Sequence, residues 1–290
     1  MLLIVLCVVF TVVIPQAVQA DERLVVGVSI YPEKYFVERI AGDHADVVLT
    51  VGDGYNPVTY EPKPKQLASL SKAKIYFLIG VPFENKWTRI LVQNNPELQF
   101  VSLAKEIKLR HFETLPSSKH MYGDHDHRGN IDPHFWLNPK MVVIAAKTIL
   151  DALIRNDPER EPVYKKNYLN FVSDLEALDK FIRSQLSSVK QRNFAVFHPS
   201  WGYFAEAYGL NQIAIEVQNR QSGAKTLNAT INAIKEKGLK TIFVQKQFSD
   251  VDASMIAREA GCQIVHIDPL AENYIENMKT VTRLFVEALT

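Results

Sequence analysis

Residues 159–189 read EREPVYKKNYLNFVSDLEALDKFIRSQLSSV, a long run without glycine whose only proline, Pro162, stands near its start. Apolar residues recur in this run at spacings of three or four, at Phe171, Leu175, Leu178, Ile182 and Leu186. That period predicts one amphipathic helix of about 25 residues, roughly 37 Å long at 1.5 Å per residue. Because such a helix is a stiff connector, we expect the parts that it joins to move little against each other.

Short β-branched runs alternate with amphipathic stretches on both sides of this helix. Strands are predicted first at 24–30, 46–51, 75–79 and 99–103, and then at 194–197, 212–217, 241–244 and 263–267. Helices are predicted at 32–41, 63–71, 85–93 and 141–153, and then at 201–208, 227–237, 252–260 and 271–289. Alternation of this kind is typical of parallel sheets covered by helices.

The predicted fold class is therefore α/β. We expect two similar lobes, each with a mostly parallel sheet flanked by helices, joined by one long rigid helix. The predicted boundaries are a signal peptide at 1–20, an N-terminal lobe at 21–157, the linking helix at 158–190 and a C-terminal lobe at 191–290.

The start of the chain predicts export. Residues 2–14, LLIVLCVVFTVVI, are almost wholly apolar, and small Val18 and Ala20 precede Asp21 as at a signal-peptidase site. The apolar run is shorter than the about 20 residues of a membrane span. We expect a soluble, periplasmic chain cleaved near Ala20. Cys7 lies within the signal and lacks the small residue that precedes a lipidated cysteine, so no lipid anchor is expected.

Composition narrows the class of partner. The chain has 290 residues, enough for two domains, and a formal net charge of +1. A nearly neutral chain has no global field that would attract nucleic acid, so we expect no nucleic-acid partner. We expect a monomer.

Three short motifs each hold a candidate metal ligand beside rigidifying residues: His134 in DPHFWL, His198 in FHPSWGYF and Asp268 in IDPL. Each residue could instead have a purely structural role. His134 could simply be bonded to a backbone carbonyl, His198 could be an ordinary histidine at a strand end, and Asp268 could mark the start of a helix. The large separations exclude a local zinc knuckle. Two imidazoles and a carboxylate suit zinc, manganese or ferrous iron.

Together the motifs resemble the zinc- and manganese-binding substrate-binding proteins of ABC importers, the ZnuA/TroA-like family, across nearly the whole mature chain. The resemblance is carried by residues 60–64 (YEPKP), 132–137 (DPHFWL), 198–204 (HPSWGYF), 243–249 (FVQKQFS) and 268–270 (DPL). It implies two α/β lobes joined by a spanning helix, with the ion in the cleft between them. It also implies that His134, His198 and Asp268 are the metal ligands and that a membrane permease receives the ion.

One position departs from the family pattern. The resemblance implies another histidine two residues before Tyr60, where this chain has Val58, and valine cannot bind a metal. Three ligands remain, so a water molecule or another side chain would complete the site; Glu61, Asp53 and Asn56 are the nearby candidates. The change is also compatible with altered metal preference, or with a paralogue whose metal binding is weakened or lost.

A further source of ligands is the segment HMYGDHDHRG at 120–129, which we expect to be a polar loop. His120, His125 and His127 could bind metal through composition alone, although a solvated loop is the alternative. Imidazole suits zinc better than manganese, so this segment favours Zn²⁺, with Mn²⁺ or Fe²⁺ as alternatives.

The leading prediction is thus an extracytoplasmic carrier that binds a divalent metal ion and delivers it to an ABC permease. A metal-dependent hydrolase or ferrous enzyme could use the same ligand set, but the sequence has no His-Glu-x-x-His motif. We therefore predict that the chain is not an enzyme. A metal-free adhesion or interaction module is the third alternative.

Overall fold

The computed structural model describes residues 23–112, 131–215 and 224–290. The first lobe is a four-stranded sheet with helices packed on it. Its elements are β1 (Leu24–Val28), α1 (Tyr31–Ala41), β2 (Ala45–Leu49), α2 (Pro64–Leu70), β3 (Ile75–Leu78), α3 (Glu84–Asn94), β4 (Gln99–Ser102) and α4 (Pro139–Asn156). The strands are parallel in the order β2-β1-β3-β4.

The second lobe repeats this topology after the linking helix α5 (Glu161–Leu186). Its elements are β5 (Asn193–Val196), α6 (Gly202–Tyr208), β6 (Asn211–Ala214), α7 (Ala224–Glu236), β7 (Thr241–Gln245), α8 (Asp250–Ala260), β8 (Gln263–Ile267) and α9 (Tyr274–Leu289). The strands are parallel in the order β6-β5-β7-β8. In each sheet the direction of winding reverses at the central pair, β1 and β3 or β5 and β7. Ligand groups in α/β sheets gather at the carboxyl ends of such a pair.

Helix α5 has 26 residues, about 39 Å at 1.5 Å per residue, close to the predicted length. All five apolar residues of the predicted face are buried. Phe171 of this helix packs on Phe36 of α1, with ring centroids 5.9 Å apart, and Phe36 contacts Tyr274 of α9 at 5.0 Å. One apolar core therefore runs through both lobes, because rings from α1, α5 and α9 interlock.

These observations confirm the predicted fold class, two α/β lobes with parallel sheets joined by one long helix. None of the helices within the described residues is both long and apolar enough to cross a membrane.

β1 and β3 end earlier than predicted, and acidic side chains explain why. β1 was expected to reach residue 30, but the backbone N–H groups of Ser29 and Ile30 donate to Glu33 Oε2, at 2.8 and 3.1 Å. β3 was expected to reach residue 79, but the Ile79 N–H donates to Glu84 Oε1 at 3.0 Å. In both cases a glutamate in the first turn of the next helix takes the donor that would continue the sheet.

Other differences lie at the ends of helices and of further strands; β2, for example, ends at Leu49 rather than residue 51. α4 extends from Pro139 rather than residue 141, because the Asn138 side chain accepts from the Lys140 N–H at 3.0 Å and caps the helix. α9 begins at Tyr274 rather than residue 271, with Asn273 as its cap. The predicted strand 212–217 ends at Ala214, and its last two positions lie outside the described residues.

Candidate metal centre

His134 is held in place by the aspartate two residues before it. Its Nδ1 lies 2.8 Å from Asp132 Oδ1, and its backbone N–H donates to the same oxygen at 3.0 Å. Because a carboxylate accepts, Nδ1 donates its proton and Nε2 presents a lone pair. This arrangement, a carboxylate behind an imidazole, is the usual one for a histidine that binds a metal.

Asp132 is fully buried and paired with a cation from the same lobe. Its Oδ2 accepts from Arg110 Nη1 at 3.0 Å. The Tyr203 hydroxyl from α6 donates to the Asp132 carbonyl at 3.0 Å and accepts from the Arg110 N–H at 2.8 Å. A helix of the second lobe thus braces the segment of the first lobe that carries His134.

His198 lies just beyond the end of β5, beside the neighbouring strand β7, and is 4% exposed. Gln245, the last residue of β7, accepts from the His198 N–H at 3.1 Å and donates to its carbonyl at 2.6 Å. The ring stacks on Phe248, with centroids 4.8 Å apart and planes 22° apart. Both the backbone and the ring of His198 are therefore fixed at the carboxyl ends of the central strands of the second sheet.

The two histidines come together across the lobes. Their ring centroids are 5.3 Å apart. Two imidazoles bound to one tetrahedral ion at 2.0–2.1 Å from each nitrogen have centroids roughly 5 Å apart. The observed separation therefore fits a shared ion.

Asp268 follows β8 and is half-buried. Its Oδ1 accepts from the Leu270 N–H at 2.8 Å and from Gln247 Nε2 at 2.9 Å. Within residues 23–112, 131–215 and 224–290, no group of three or more His, Cys, Asp or Glu side chains is arranged to hold a metal ion. The structure thus brings His134 and His198 together and does not join Asp268 to them as a third ligand.

A cavity of about 520 Å³ surrounds the histidine pair and is lined by both lobes. Its walls are mainly apolar. Aromatic rings and prolines supply much of the lining, at Phe112, Trp136, Phe248, Pro57, Pro82, Pro133 and Pro269. Trp136 lies beside His134, with ring centroids 5.1 Å apart.

Val58 lines this cavity. Its backbone N–H donates to Asn56 Oδ1 at 2.9 Å, and Asn56 lines the cavity as well. The position where the family resemblance implies a histidine therefore faces the same space as His134 and His198. Here it contributes an apolar surface in place of a ligand.

The remaining candidates lie elsewhere. The Glu61 side chain is 83% exposed and lies 3.6 Å from Lys86 Nζ, outside the cavity lining. Asp53 Oδ1 is also outside the lining and pairs with Lys246 Nζ at 2.8 Å. His120, His125 and His127 lie outside the described residues.

The structure adds supporting residues that the sequence reasoning did not single out. Gln245 and Gln247 occur in the family-like segment 243–249, so their position was marked but their roles were not. Arg110 had no sequence signal, because a lone arginine carries no information about the aspartate that it meets after folding.

The corresponding edge of the first sheet holds a buried acid pair instead of histidines. Glu84 Oε1 and Oε2 accept from the Ile79 and Gly80 N–H groups, and Ser29 Oγ donates to Glu84. Burial raises the pKa of Glu84 from 4.5 to about 7. Burial, and then repulsion from Glu84, raises the pKa of Glu33 well above its ordinary range. Both carboxyl groups thus have pKa values above their ordinary range, and Glu84 accepts from Gly80 in the cavity wall.

Comparison with known proteins identifies the family. The sequence model of ZnuA, described as zinc-uptake complex component A, periplasmic, matches residues 26–288. The chain belongs to the ZnuA family. Two crystal structures of ZnuA, one of a deletion mutant with zinc bound, each have a TM-score of 0.84 and 36% identity over 93% of this chain. The matched regions span 100% and 99% of the two ZnuA chains.

Curated relatives bind two different metals. AdcA, a zinc-binding lipoprotein of Streptococcus pneumoniae serotype 4, is 29% identical over 96% of this chain, which spans 58% of AdcA. MntA, a manganese-binding lipoprotein of Halalkalibacterium halodurans, is 27% identical over 88% of this chain and 84% of its own length. The prediction of zinc, with manganese as an alternative, agrees with these relatives.

Membership of the ZnuA family confirms the resemblance inferred from the motifs. It also confirms that the chain is not an enzyme, because the family consists of metal-binding transport proteins. The expectation that the chain has no lipid anchor finds no support, since AdcA and MntA are both named lipoproteins.

Proposed function

We propose that this chain is an extracytoplasmic solute-binding protein that captures a divalent transition metal between its lobes and delivers it to an ABC permease. The observation that carries the proposal is the His134–His198 pair, with ring centroids 5.3 Å apart in a cavity between the lobes. Before any ion arrives, Asp132 orients the ring of His134, while Gln245 fixes the backbone of His198 and Phe248 stacks on its ring. Pre-orientation of this kind lowers the cost of binding.

Asp268 is the proposed third ligand. The hydrogen bonds from Leu270 and Gln247 are both accepted by Oδ1 of its carboxylate. The next two residues, Pro269 and Leu270, line the cavity. To bind the ion, the Asp268 side chain would have to move toward the histidines, and attraction between its carboxylate and the ion would favour that movement. Gln247 donates to Asp268 and itself lines the cavity.

Zinc is the proposed cargo, with Mn²⁺ or Fe²⁺ as alternatives, because two imidazoles match zinc better than manganese. Family membership and the zinc-binding and manganese-binding relatives support this choice. The same relatives support a location outside the cytoplasm, at the periplasmic face, and transfer to a membrane permease.

Equilibrium dialysis of the chain from residue 21 onward against Zn²⁺, Mn²⁺ and Fe²⁺ tests the proposal. We expect zinc to bind most tightly. His134→Ala and His198→Ala should each weaken zinc binding more than about tenfold, since changes behind the ligands alone cost 10–100-fold. His266→Ala is the control, because His266 is exposed and lies outside the cavity lining. Equal zinc affinity in all three variants would refute the proposal, and no binding of any ion would favour a paralogue that has lost metal binding.

A further inference from the structure

The cavity around the histidine pair is large for a bare ion. Its volume is about 520 Å³, whereas one water molecule takes up about 30 Å³ in the liquid. A zinc ion with two waters would leave most of this space unfilled. Cavities of 300–1,000 Å³ with mainly apolar and aromatic walls and a few polar groups are typical sites for small organic ligands.

The electrostatic character of the lining is equally unsuited to a bare ion. Among the residues described, no Asp, Glu, Lys or Arg lines the cavity. His134 and His198 bind a metal as neutral imidazoles, so they do not offset a charge of +2. Asp268, as a third ligand, would offset one unit only. A buried cation without a counter-charge is costly, so the remaining charge calls for an anionic partner inside the cavity.

Coordination leads to the same requirement. Two histidines and one aspartate leave at least one position open on a four-coordinate zinc ion. Val58 lines the cavity where a fourth protein ligand could have stood, and it offers only methyl groups. The open position therefore faces a roomy, apolar space.

We propose that the cargo is a metal complex, in which a small anionic organic chelator fills this cavity and supplies the coordination and charge that the protein lacks. This inference rests on the proposed function. A carboxylate of the chelator would bind the ion beside His134 and His198. The side-chain amides of Asn56, Asn85 and Gln247 line the cavity and can donate to its remaining oxygens.

Apolar walls complete the fit. Phe112, Trp136 and Phe248 line the cavity and would offer apolar surface to the chelator. Small ligands gain affinity from such walls while a few polar groups set their orientation. The chain would thus recognise the organic part of the complex as well as the ion.

Zinc-dependent retention of a labelled chelator tests the inference. The chain from residue 21 onward is dialysed with radiolabelled citrate or radiolabelled L-histidine, each with and without Zn²⁺, and bound zinc is measured in the same samples. We expect one equivalent of at least one chelator to be retained per zinc, and at least about tenfold less without zinc, a difference of 1.4 kcal/mol. His134→Ala should abolish the zinc-dependent retention of both chelators.

Substitution at Val58 provides a second arm. Val58→His should raise affinity for zinc alone and reduce retention of the chelator, because the new imidazole would take the open coordination position. Val92→His is the matched control, since Val92 is 48% exposed on α3 and outside the cavity lining. It should leave both measurements unchanged.

The outcomes separate the two proposals. Zinc bound while both chelators are excluded from the wild-type chain would overturn this inference and leave the carrier function intact. Absence of zinc binding under every condition would overturn the carrier function and this inference with it. If Val58→His retains as much chelator as the wild type, then the chelator does not occupy the open coordination position of the zinc ion. That result would overturn the proposed mode of binding.

Discussion

Gly202 of the second lobe lies directly against the guanidinium of Arg110 from the first. A β-carbon built on Gly202 would overlap Arg110 Nη1 and would stand 3.0 Å from Asp132 Oδ2. Arg110 pairs with Asp132, and Asp132 in turn orients His134. This series of contacts can form because residue 202 has no side chain. The geometry of a first-lobe ligand therefore depends on a residue of the opposite lobe.

Gly202→Ala should disturb these contacts among Arg110, Asp132 and His134. The added methyl group would push the guanidinium away from a fully buried carboxylate, and overpacking of this kind costs about 1–3 kcal/mol. We also expect zinc affinity to fall about 10–100-fold, because His134 loses its fixed orientation. Denaturant unfolding and zinc dialysis measure the two effects.

Gly52→Ala is the control for that substitution. Its β-carbon would meet its nearest atom, Tyr55 Cδ2, at 4.0 Å, which is ordinary contact. Little change in either measurement is expected for Gly52→Ala. Gly202→Ala with wild-type stability and affinity would show that Arg110 can leave Asp132 without consequence.

Asp132→Asn tests the carboxylate itself. An asparagine oxygen can still accept from His134 Nδ1, but its amide would then face the Arg110 guanidinium, donor against donor. We expect zinc affinity to fall about 10–100-fold through a residue that does not touch the ion. Asp151→Asn is the control, because Asp151 pairs with Lys147 on the exposed side of α4. Unchanged calorimetric affinity in Asp132→Asn would assign Asp132 a purely structural role.

The sequence predicted the elements of this site better than its supports. His134 and His198 were identifiable because their motifs place a possible ligand beside prolines and at the end of a strand. Both features involve neighbouring residues, so they can be recognised in the sequence alone. The linking helix was equally visible, because its apolar period persists from Phe171 to Leu186. Arg110 could not be found in this way, since its role depends on a contact with Asp132 and Gly202 that exists only in the folded chain.

The ends of β1 and β3 show the same limit. β-Branched and apolar residues at Ile30 and Ile79 favour continued strands, and the prediction followed that propensity. In the folded chain Glu33 and Glu84 take the backbone donors at both places, so tertiary hydrogen bonds override local preference. A glutamate in the first turn of a helix was readable from the sequence, but its burial was not.

The pH dependence of stability should report on this acid pair. Because burial raises the pKa of Glu84 from 4.5 to about 7, the folded chain binds more protons than the unfolded chain between those values. The free energy of unfolding is therefore highest below pH 4.5, as far as this group is concerned, and falls as pH rises through about 7. The loss is on the order of 3 kcal/mol, at 1.36 kcal/mol for each unit of pKa.

Glu84→Gln should reduce this slope, because the amide does not titrate, while the contribution from the raised pKa of Glu33 remains. Urea unfolding at intervals from pH 5 to pH 8 gives the measurement, and the slope rather than the absolute stability is the quantity to compare. Glu97→Gln is the control, since Glu97 is 86% exposed. A slope as steep in Glu84→Gln as in the wild type would assign the titration to other groups.

Tyr274→Phe tests how firmly the two lobes are joined beside the cavity. The Tyr274 hydroxyl donates to the Trp136 carbonyl at 2.7 Å, and Trp136 Nε1 donates to the Pro269 carbonyl at 2.9 Å. These bonds link the segment after His134 to the segment after Asp268, and all of their donors are buried. With the 26-residue helix α5, they predict that the radius of gyration changes by less than about 1 Å when zinc binds, as in other pre-organised sites.

Removal of the hydroxyl leaves the buried Trp136 carbonyl without its donor, at a cost of about 1–3 kcal/mol in the free energy of unfolding. We expect Tyr274→Phe to widen the difference in X-ray scattering between zinc-free and zinc-loaded chains, because one of the hydrogen bonds between the lobes is gone. Tyr55→Phe, at a side chain that is 49% exposed, should leave both quantities unchanged. If the wild-type lobes already move by several ångströms on zinc binding, then the long helix and these bonds do not hold the cleft in one shape, and pre-orientation of the histidines cannot account for metal affinity.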